Sequence, residues 1–555
     1  MAKQVLGRIV LLMVLLAMVI SACKPAATPT PTKVPPTAVP PTKAPPTAVP
    51  PTPVPPTPTP EPIVDITLWA NASVTEASAP PDDWVVYKIL REKLHINLIY
   101  TIVPPGTDGE TKLNAAAAAN ALPDFFQAFS ASDDQRGTIK RLYDLGLIAP
   151  VDDMLPLMPE RVKKHYNDAG ALSLVRFDGK LMGLPEPPAL PKREGLVIRK
   201  DWLTKLGLAE PKTLDDLYAC AVAFTTKDPD GNGKNDTFGF GGFLNGTGLG
   251  TRFDFIFGAY GVPGVWSFDT MTDNFGLNVR NPDYPEALRY MKKLVDAKVI
   301  DPDWPTLKRD EFRARWKQGL FGIMWEDFAA LTNKSNYTPF DTLFPDAEWI
   351  PLPAPTGPKG ESAYGVYTGR GNIFAVSTKA ADAGKKKYIA AFLEWLATDE
   401  GYYLVGFGEK DVNWKFDANG NVTTEGIADD LKWTSQARQP YTQMRNQLVF
   451  YNTQSEILAR YPNWKTINGR TMEGMKFLLY DQSQPWWDGR GIALISRPAN
   501  AADFDRFYNE GLINFSLNGV TDAEWTTFLA GLDSLGAKEY EAAARASLKA
   551  GGLIK

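Results

Sequence analysis

Ile63-Val-Asp-Ile-Thr-Leu-Trp69, then Trp84 to Lys93, then Ile96-Asn-Leu-Ile-Tyr-Thr-Ile102 is the stretch whose reading decides the fold. The first segment has the composition of a strand. Trp84 to Lys93 places apolar residues at helical spacing, and Ile96, Leu98, Tyr100 and Ile102 alternate with less apolar positions, the period of a strand. Glu110 to Ala121 is alanine-rich and reads as a second helix. After the Leu-Pro-Asp124 break, Phe125 to Phe129 reads as a third strand. A β-α-β-α-β order predicts right-handed crossovers and a mostly parallel sheet.

Downstream the same alternation continues. Thr213-Leu-Asp-Asp216 is a capping-box-like start for a helix to about Phe224. Helical patterns recur at Pro285 to Ala297, Asp310 to Gln318 and Lys385 to Thr398, with short strands predicted at Phe321 to Trp325 and Phe374 to Ser377. Thr521-Asp-Ala-Glu524 starts another helix by the same cap logic, and the last thirty residues read as a helical pair. The body is α/β, without a repeat of 20–50 residues.

Upstream of the body, Lys3 and Arg8 precede the apolar run Ile9 to Ile20, which ends Ile20-Ser-Ala-Cys23. A charged start, a short apolar segment and small residues form an export signal. The run is shorter than the roughly 20 residues a spanning helix needs. A cysteine after small residues resembles a bacterial lipobox, so Cys23 is the expected lipidation site; an ordinary signal peptide or an uncleaved anchor is the alternative. From Pro25 to Pro62 a near-repeat of Pro-Pro-Thr follows. Proline fixes φ and removes a donor, so this tract forms neither helix nor ladder. As polyproline II it would reach on the order of 100 Å. The expected organisation is a signal peptide over 1–22, a lipidated cysteine and disordered linker over 23–62, and a body over 63–555.

About 490 residues of body exceed what one compact core holds, which predicts two or more lobes. A net charge of −5 with interspersed signs gives no basic footprint for nucleic acid. Past Cys23 only Cys220 remains, in an apolar helical stretch, so no intramolecular disulfide is possible in the mature body and a buried small hydrophobe is expected. His95 and His165 are the only histidines. A zinc site of histidines and thiolates is therefore disfavoured, and HExxH, GxxxxGK[ST] and GxSxG patterns are all missing.

Five phrases, in order, resemble the extracellular solute-binding proteins of ABC importers, most of all their sugar-binding lipoproteins. They are Phe177-Asp-Gly-Lys-Leu-Met-Gly-Leu-Pro185, Val197-Ile-Arg-Lys-Asp-Trp-Leu-Thr-Lys-Leu-Gly207, Lys212-Thr-Leu-Asp-Asp-Leu217, Trp316-Lys-Gln-Gly-Leu-Phe-Gly-Ile-Met324 and Phe392-Leu-Glu-Trp-Leu-Ala-Thr-Asp-Glu-Gly401. The resemblance implies a periplasmic-binding-protein-like fold: two discontinuous α/β lobes with a hinge and an interlobe cleft. By phrase order the chain would cross near Pro187 to Gly195, Met324 to Glu326 and Arg370 to Phe374. Lobe 1 would then hold about 63–190 and 325–370, and lobe 2 about 191–324 and 371–555. Ligand sites at such interfaces and hinge closure around them are the expected consequence.

Asp228-Pro-Asp230-Gly-Asn232-Gly233-Lys234-Asn-Asp236 reproduces the start of an EF-hand-type calcium loop. Oxygen side chains fall at positions 1, 3, 5 and 9, glycine at 6, and Lys234 offers its backbone carbonyl at 7. Gly239 stands at position 12 in place of the bidentate glutamate, and Thr237 stands where some relatives carry an acid. A structural Ca2+ bracing one lobe is the expectation; a polar turn is the alternative.

Fifteen tryptophans suit a carbohydrate ligand, whose flat C–H faces stack on aromatic rings. Trp202 and Trp395 read as core. The cleft candidates are Trp69, Trp266, Trp325 and Trp414, with Arg370 as the basic residue and Asp124 and Glu326 as hydroxyl acceptors. On this reading Trp325→Ala weakens binding and leaves stability nearly unchanged. The resemblance implies a lipid-anchored monomeric receptor on the outer face of the bacterial cytoplasmic membrane. It would capture an oligosaccharide for ABC permease subunits and would not be an enzyme. A tethered carbohydrate-active enzyme, with two carboxylates about 5–9.5 Å apart, and a sensor subunit of a membrane signalling system are the alternatives.

Overall fold

The computed structural model describes residues 62–555 except 72–77, 105, 131–134, most of 159–174, 186–193, 245–247, 268–274, 368–371, 419–421, 434, 443, 445–462, scattered positions in 490–499, 551–553 and 555. The export signal, Cys23, the Pro-Thr tract, His165 and Arg370 therefore lie outside the described residues. Residues 61–555 form one compact unit.

The body opens as its periodicity dictates. Strand β1 (Val64–Ala70), helix α1 (Val85–Leu94), β2 (Ile96–Ile102), α2 (Thr107–Ala118), β3 (Phe125–Gln127) and α3 (Gln135–Asp144) follow one another. β1 pairs in parallel with β2, Val64 opposite Ile96, and with β3, Leu68 opposite Phe125. Short β4 (Leu184–Pro185) ends this first passage. The chain then builds a second sheet from β5 (Glu194–Arg199), β6 (Phe238–Gly241), β7 (Phe321–Asp327) and β8 (Trp349–Pro351), in the order β8-β5-β7-β6. Helix α4 (Leu214–Thr226) carries the full capping box of Thr213 and Asp216. α5 (Tyr284–Asp296) and α6 (Arg309–Lys317) complete this passage. β9 (Val366–Tyr367) is the last strand before the chain returns. β10 (Ile373–Val376) re-enters the first sheet antiparallel to β3 and β4, giving the order β2-β1-β3-β10-β4. α7 (Lys386–Leu396) packs there. Beyond residue 462, β11 (Trp487–Asp488) pairs with β9. α8 (Ala501–Asn518), α9 (Asp522–Ser534, with the Thr521 capping box) and α10 (Ala537–Ala550) close the chain.

Each sheet owns a core, which makes two α/β lobes. The first joins Ile66, Leu98, Phe126 and Leu184 to Ile389, Trp395 and Trp414. The second sheet is covered on both faces: Leu196, Ile198 and Trp325 enter one cluster with α4, α5 and the terminal helices, while Val197 and Met324 enter another with Phe312, Trp316 and Trp349. The expected division is corrected here. Residues 325–366 belong with the second sheet, because β7 is one unbroken strand hydrogen-bonded to β5 and β6. Residues 373–444 belong with the first, because β10 pairs with β3. The chain changes lobe between Pro185 and Glu194, between Tyr367 and Asn372 and between Met444 and Asn463, and Met324 to Glu326 is mid-sheet. Among the described residues no helix is long and apolar enough to cross a membrane.

Candidate functional site

The described residues on either side of two lobe changes mark one edge of each sheet. Pro185 pairs with Ile373 on the first sheet, so the chain leaves that sheet after Pro185 and re-enters it at Ile373 on one edge. The carboxyl end of β3 is at the same edge, since the Ala128 N–H donates to the Ile373 carbonyl at 2.7 Å. On the second sheet, Glu194 at the start of β5 stands opposite Asp327 at the carboxyl end of β7. Strand carboxyl ends flanking a crossover are where open α/β sheets hold ligands.

The first-lobe wall at this edge is made of amides. The Gln127 Oε1 accepts the Asn71 backbone N–H at 3.0 Å, and Gln127 Nε2 donates to Asn372 Oδ1 at 2.8 Å. Gln135 Nε2 donates to the same oxygen at 3.2 Å, while its Oε1 accepts the Ile373 N–H at 2.7 Å. Trp69, half-buried at the end of β1, lies beneath the Lys112 ammonium, 4.5 Å from the ring centroid.

The second-lobe wall is aromatic and anionic. Trp486 is half-buried, with ring centroids 5.5 Å from Tyr364 and 6.0 Å from Trp325. It and Asp254 crowd Gly365, just before 368–371, where a Cβ would lie 3.1 Å from Asp254 and 3.3 Å from the Trp486 ring. Glu194 accepts the Trp325 indole N–H at 3.2 Å. Gln484-Pro-Trp-Trp-Asp488 carried no helical or strand signal; only its paired tryptophans after a proline set it apart.

Most of the predicted ligand residues are committed to the interior. Trp325 is 1% exposed, stacked on Phe255, because its sheet is covered on both faces. Glu326 is fully buried. It is paired with Arg313 at 3.1 Å and Arg252 at 3.7 Å, and accepts the Trp316 N–H. Asp124 precedes β3, at the end opposite Gln127. Its carboxylate accepts the Thr67 N–H and hydroxyl at 2.8 and 2.9 Å and pairs with Lys385 at 3.0 Å. Trp266 is wedged between Phe275 and Tyr540. Trp414 is buried against Tyr403 and donates to the Gly408 carbonyl. Trp202, Trp395 and Cys220 are buried as expected.

The acidic loop joins α4 to β6. Asp228 accepts the N–H groups of Gly231, Asn232 and Gly233 at 3.0 Å each. Gly233 takes the left-handed φ of +80° that loop position 6 requires. The Asn232 NH2 donates to Asp230 and Asp236 at 2.9 and 3.0 Å, so its amide draws the two carboxylates together. Burial and the hydrogen bond with Asp228 hold the Asp230 carboxyl above its usual value. Burial pulls Asp228 upward too, but Asp230 and the three loop N–H groups bring it below its usual value. The missing ligands have a packing cause. A Cβ on Gly239 would collide with the Ala221 backbone, and Thr237 is buried with its hydroxyl donating to the Phe224 carbonyl. Among the described residues no three histidine, cysteine or acidic side chains are gathered as a metal-ligand group. The oxygen-only donors that remain, Asp228, Asp230, Asn232, Asp236 and the Lys234 carbonyl, suit a hard cation.

The family model for the bacterial extracellular solute-binding protein matches residues 78–403. The chain is 30% identical over 346 residues to the polygalacturonan/rhamnogalacturonan-binding protein YtcQ of Bacillus subtilis, covering 60% of this chain and 64% of that protein. It is 24% identical to the lipoprotein LipO of the same organism over 63% of this chain and 68% of LipO. The matched stretch thus spans under two thirds of YtcQ. In fold, it is similar to FusA of S. pneumoniae, solved with kestose and, as an EF-hand mutant, with fructo-nystose. Each comparison has a TM-score of 0.63 at 17% identity, over 87% of this chain and 98% of FusA. A match across more than half the chain, on a body of two α/β lobes, decides the matter: this chain belongs to the bacterial extracellular solute-binding proteins.

Proposed function

We propose that the chain is the receptor of an ABC importer, capturing an oligosaccharide between its lobes and delivering it to the permease, without catalysing a reaction on it. The observation that carries this reading is that each lobe has a polar or aromatic group beside the points where the chain changes lobe: Asn71, Gln127, Asn372 and Gln135 on the first, and Trp486, Asp254 and Glu194 on the second. Amides both donate to and accept from sugar hydroxyls, carboxylates accept from them, and tryptophan faces stack on C–H surfaces. Trp69 and Arg370 remain in this proposal as further contacts. Hinge closure between the lobes would retain the sugar. Export and lipidation at Cys23 would keep the receptor on the outer membrane face, with the Pro-Thr tract as spacer. The test is calorimetric titration with kestose and with oligogalacturonate, followed by chromatography of the recovered sugar. Saturable binding with intact sugar supports the receptor. Shortened products would establish a tethered enzyme, and no binding by any oligosaccharide would remove the carbohydrate assignment.

We also propose that the Asp228–Asp236 loop holds a structural Ca2+. The loop oxygens of Asp228, Asp230, Asn232 and Asp236, with the Lys234 carbonyl, would bind it, and the ion would replace the Asn232 amide in offsetting the crowded carboxylates. Bracing the α4–β6 connection would be its role. Chelator-stripped protein should gain melting temperature on calcium titration, and Asp228→Asn should abolish the gain; an unchanged melting temperature would remove the site.

A further inference from the structure

Gln127 is 2% exposed, yet neither end of its side chain is idle. The residue ends β3, the strand between β1 and β10, and its amide reaches both neighbours across the carboxyl edge. On one side stands the backbone of Asn71, the residue after β1; on the other stands Asn372, the first described residue after the 368–371 passage.

The direction of every bond is forced. A peptide N–H only donates, so the Gln127 oxygen must face Asn71 and its NH2 must face the Asn372 oxygen. Gln135 is fixed in the same way, because its oxygen accepts the Ile373 N–H and its NH2 then faces that same Asn372 oxygen. Asn372 cannot rotate its amide without turning its own NH2 toward two other NH2 groups. The four residues form a polarised ladder from the end of β1 to the start of β10. Beyond it, among the described residues, the Asn71 Oδ1 is shielded from solvent without a hydrogen-bond partner, an acceptor suited to a hydroxyl.

We propose that Gln127 is a positioning residue that couples ligand capture at the end of β1 to the start of β10, at Asn372 and Ile373. This rests on the receptor reading above and adds a link by which occupancy beside β1 is felt at the first residues of β10. A hydroxyl drawn to Asn71 would fix the backbone whose N–H holds Gln127. Gln127 then holds Asn372 in the arrangement that lets Gln135 bind Ile373. Ordering one end lowers the cost of ordering the other.

The test uses Gln127→Glu in the full chain. The carboxylate still accepts the Asn71 N–H but turns an acceptor toward the Asn372 oxygen, cutting the ladder at one place. Asn372→Ala cuts the same link from the other side and guards against a folding defect in the first variant. Amide hydrogen exchange is measured for Asn71 and Ile373, with and without kestose or oligogalacturonate. In the free protein, Gln127→Glu should keep Asn71 protected and speed exchange at Ile373 by about tenfold, the value of one hydrogen bond. In the native chain, bound sugar should slow exchange at Ile373; in both variants, read at a sugar concentration shown by titration to saturate each one, that response should be lost. Unchanged exchange at Ile373 in the free variants, or an undiminished response to sugar, overturns the proposal. If no sugar binds the native chain, the carbohydrate assignment fails, and exchange at Ile373 in the free variants still decides whether Gln127 holds the start of β10.

Discussion

Trp325 is the residue where strand position and packing disagree most, and it yields the sharpest prediction. The sequence reading makes it a ligand platform whose removal leaves the fold intact. In the structure its indole is 1% exposed, stacked on Phe255 at 6.1 Å and met edge-on by Tyr364 at 5.1 Å and Trp486 at 6.0 Å. Truncating a buried tryptophan to alanine costs about 3–5 kcal/mol, combining lost transfer energy with the cavity left behind. The half-buried Glu194, which loses its N–H partner, can take water instead and adds little. With an unfolding entropy of about 2.1 cal/mol/K per residue over a body of about 490 residues, each kcal/mol shifts the melting temperature by roughly 1 °C, so Trp325→Ala should lower it by roughly 3–5 °C. Trp486→Ala, removing a half-buried ring, should cost only about 1–2 kcal/mol but weaken sugar binding more than it weakens the fold. Scanning calorimetry paired with sugar titration measures both. A stability loss for Trp325→Ala under about 1 kcal/mol, with a large loss of affinity, would refute the packing argument and restore the platform.

Three further outcomes follow from the same structure. Glu326→Ala leaves Arg252, whose side chain is 7% exposed, beside Arg313 with their shared anion gone, and should cost about 3–5 kcal/mol in urea unfolding; replacing Glu326 and Arg252 together by leucine and methionine should recover part of that. Burial, reinforced by Asp216, pushes the Cys220 thiol up from 9.0 to about 11, so Ellman's reagent should leave it unmodified in the native protein and label it fully in denaturant. Because this folded-state value is raised, its stabilising contribution is complete below pH 9.0 and should fade as pH rises through about 11. Thr213→Ala removes the cap of α4 and should cost about 1 kcal/mol. The Thr213 hydrogen bond holds the Asp216 carboxyl below its usual value, so that contribution is present at neutral pH and lost as pH falls through the depressed value, and the variant should show a shallower acid limb in a pH–melting curve.

Local chemistry determined a good deal of this protein before any contact was known. The alternation of Ile96, Leu98, Tyr100 and Ile102, the capping boxes at Thr213 and Thr521, and the glycine at loop position 6 each act within a few residues, and each element formed where its period placed it. The α/β class and the membership of the family were legible for the same reason. What tertiary structure alone decided is which sheet a strand joins and whether its side chains meet a core or open space. Phe321 to Trp325 reads as a strand from its composition, yet nothing in those residues says that both faces of its sheet are covered, and so Trp325 and Glu326 turned inward. Asp124 adjoins β3, but at its amino end, where Thr67 and Lys385 claim it. Gln127, Asn71 and Asn372 are unremarkable in sequence, separated by 56 and 245 positions. They become a wall only because β3 lies between β1 and β10, and hydrogen bonds across that edge depend on strand order, which no local period encodes.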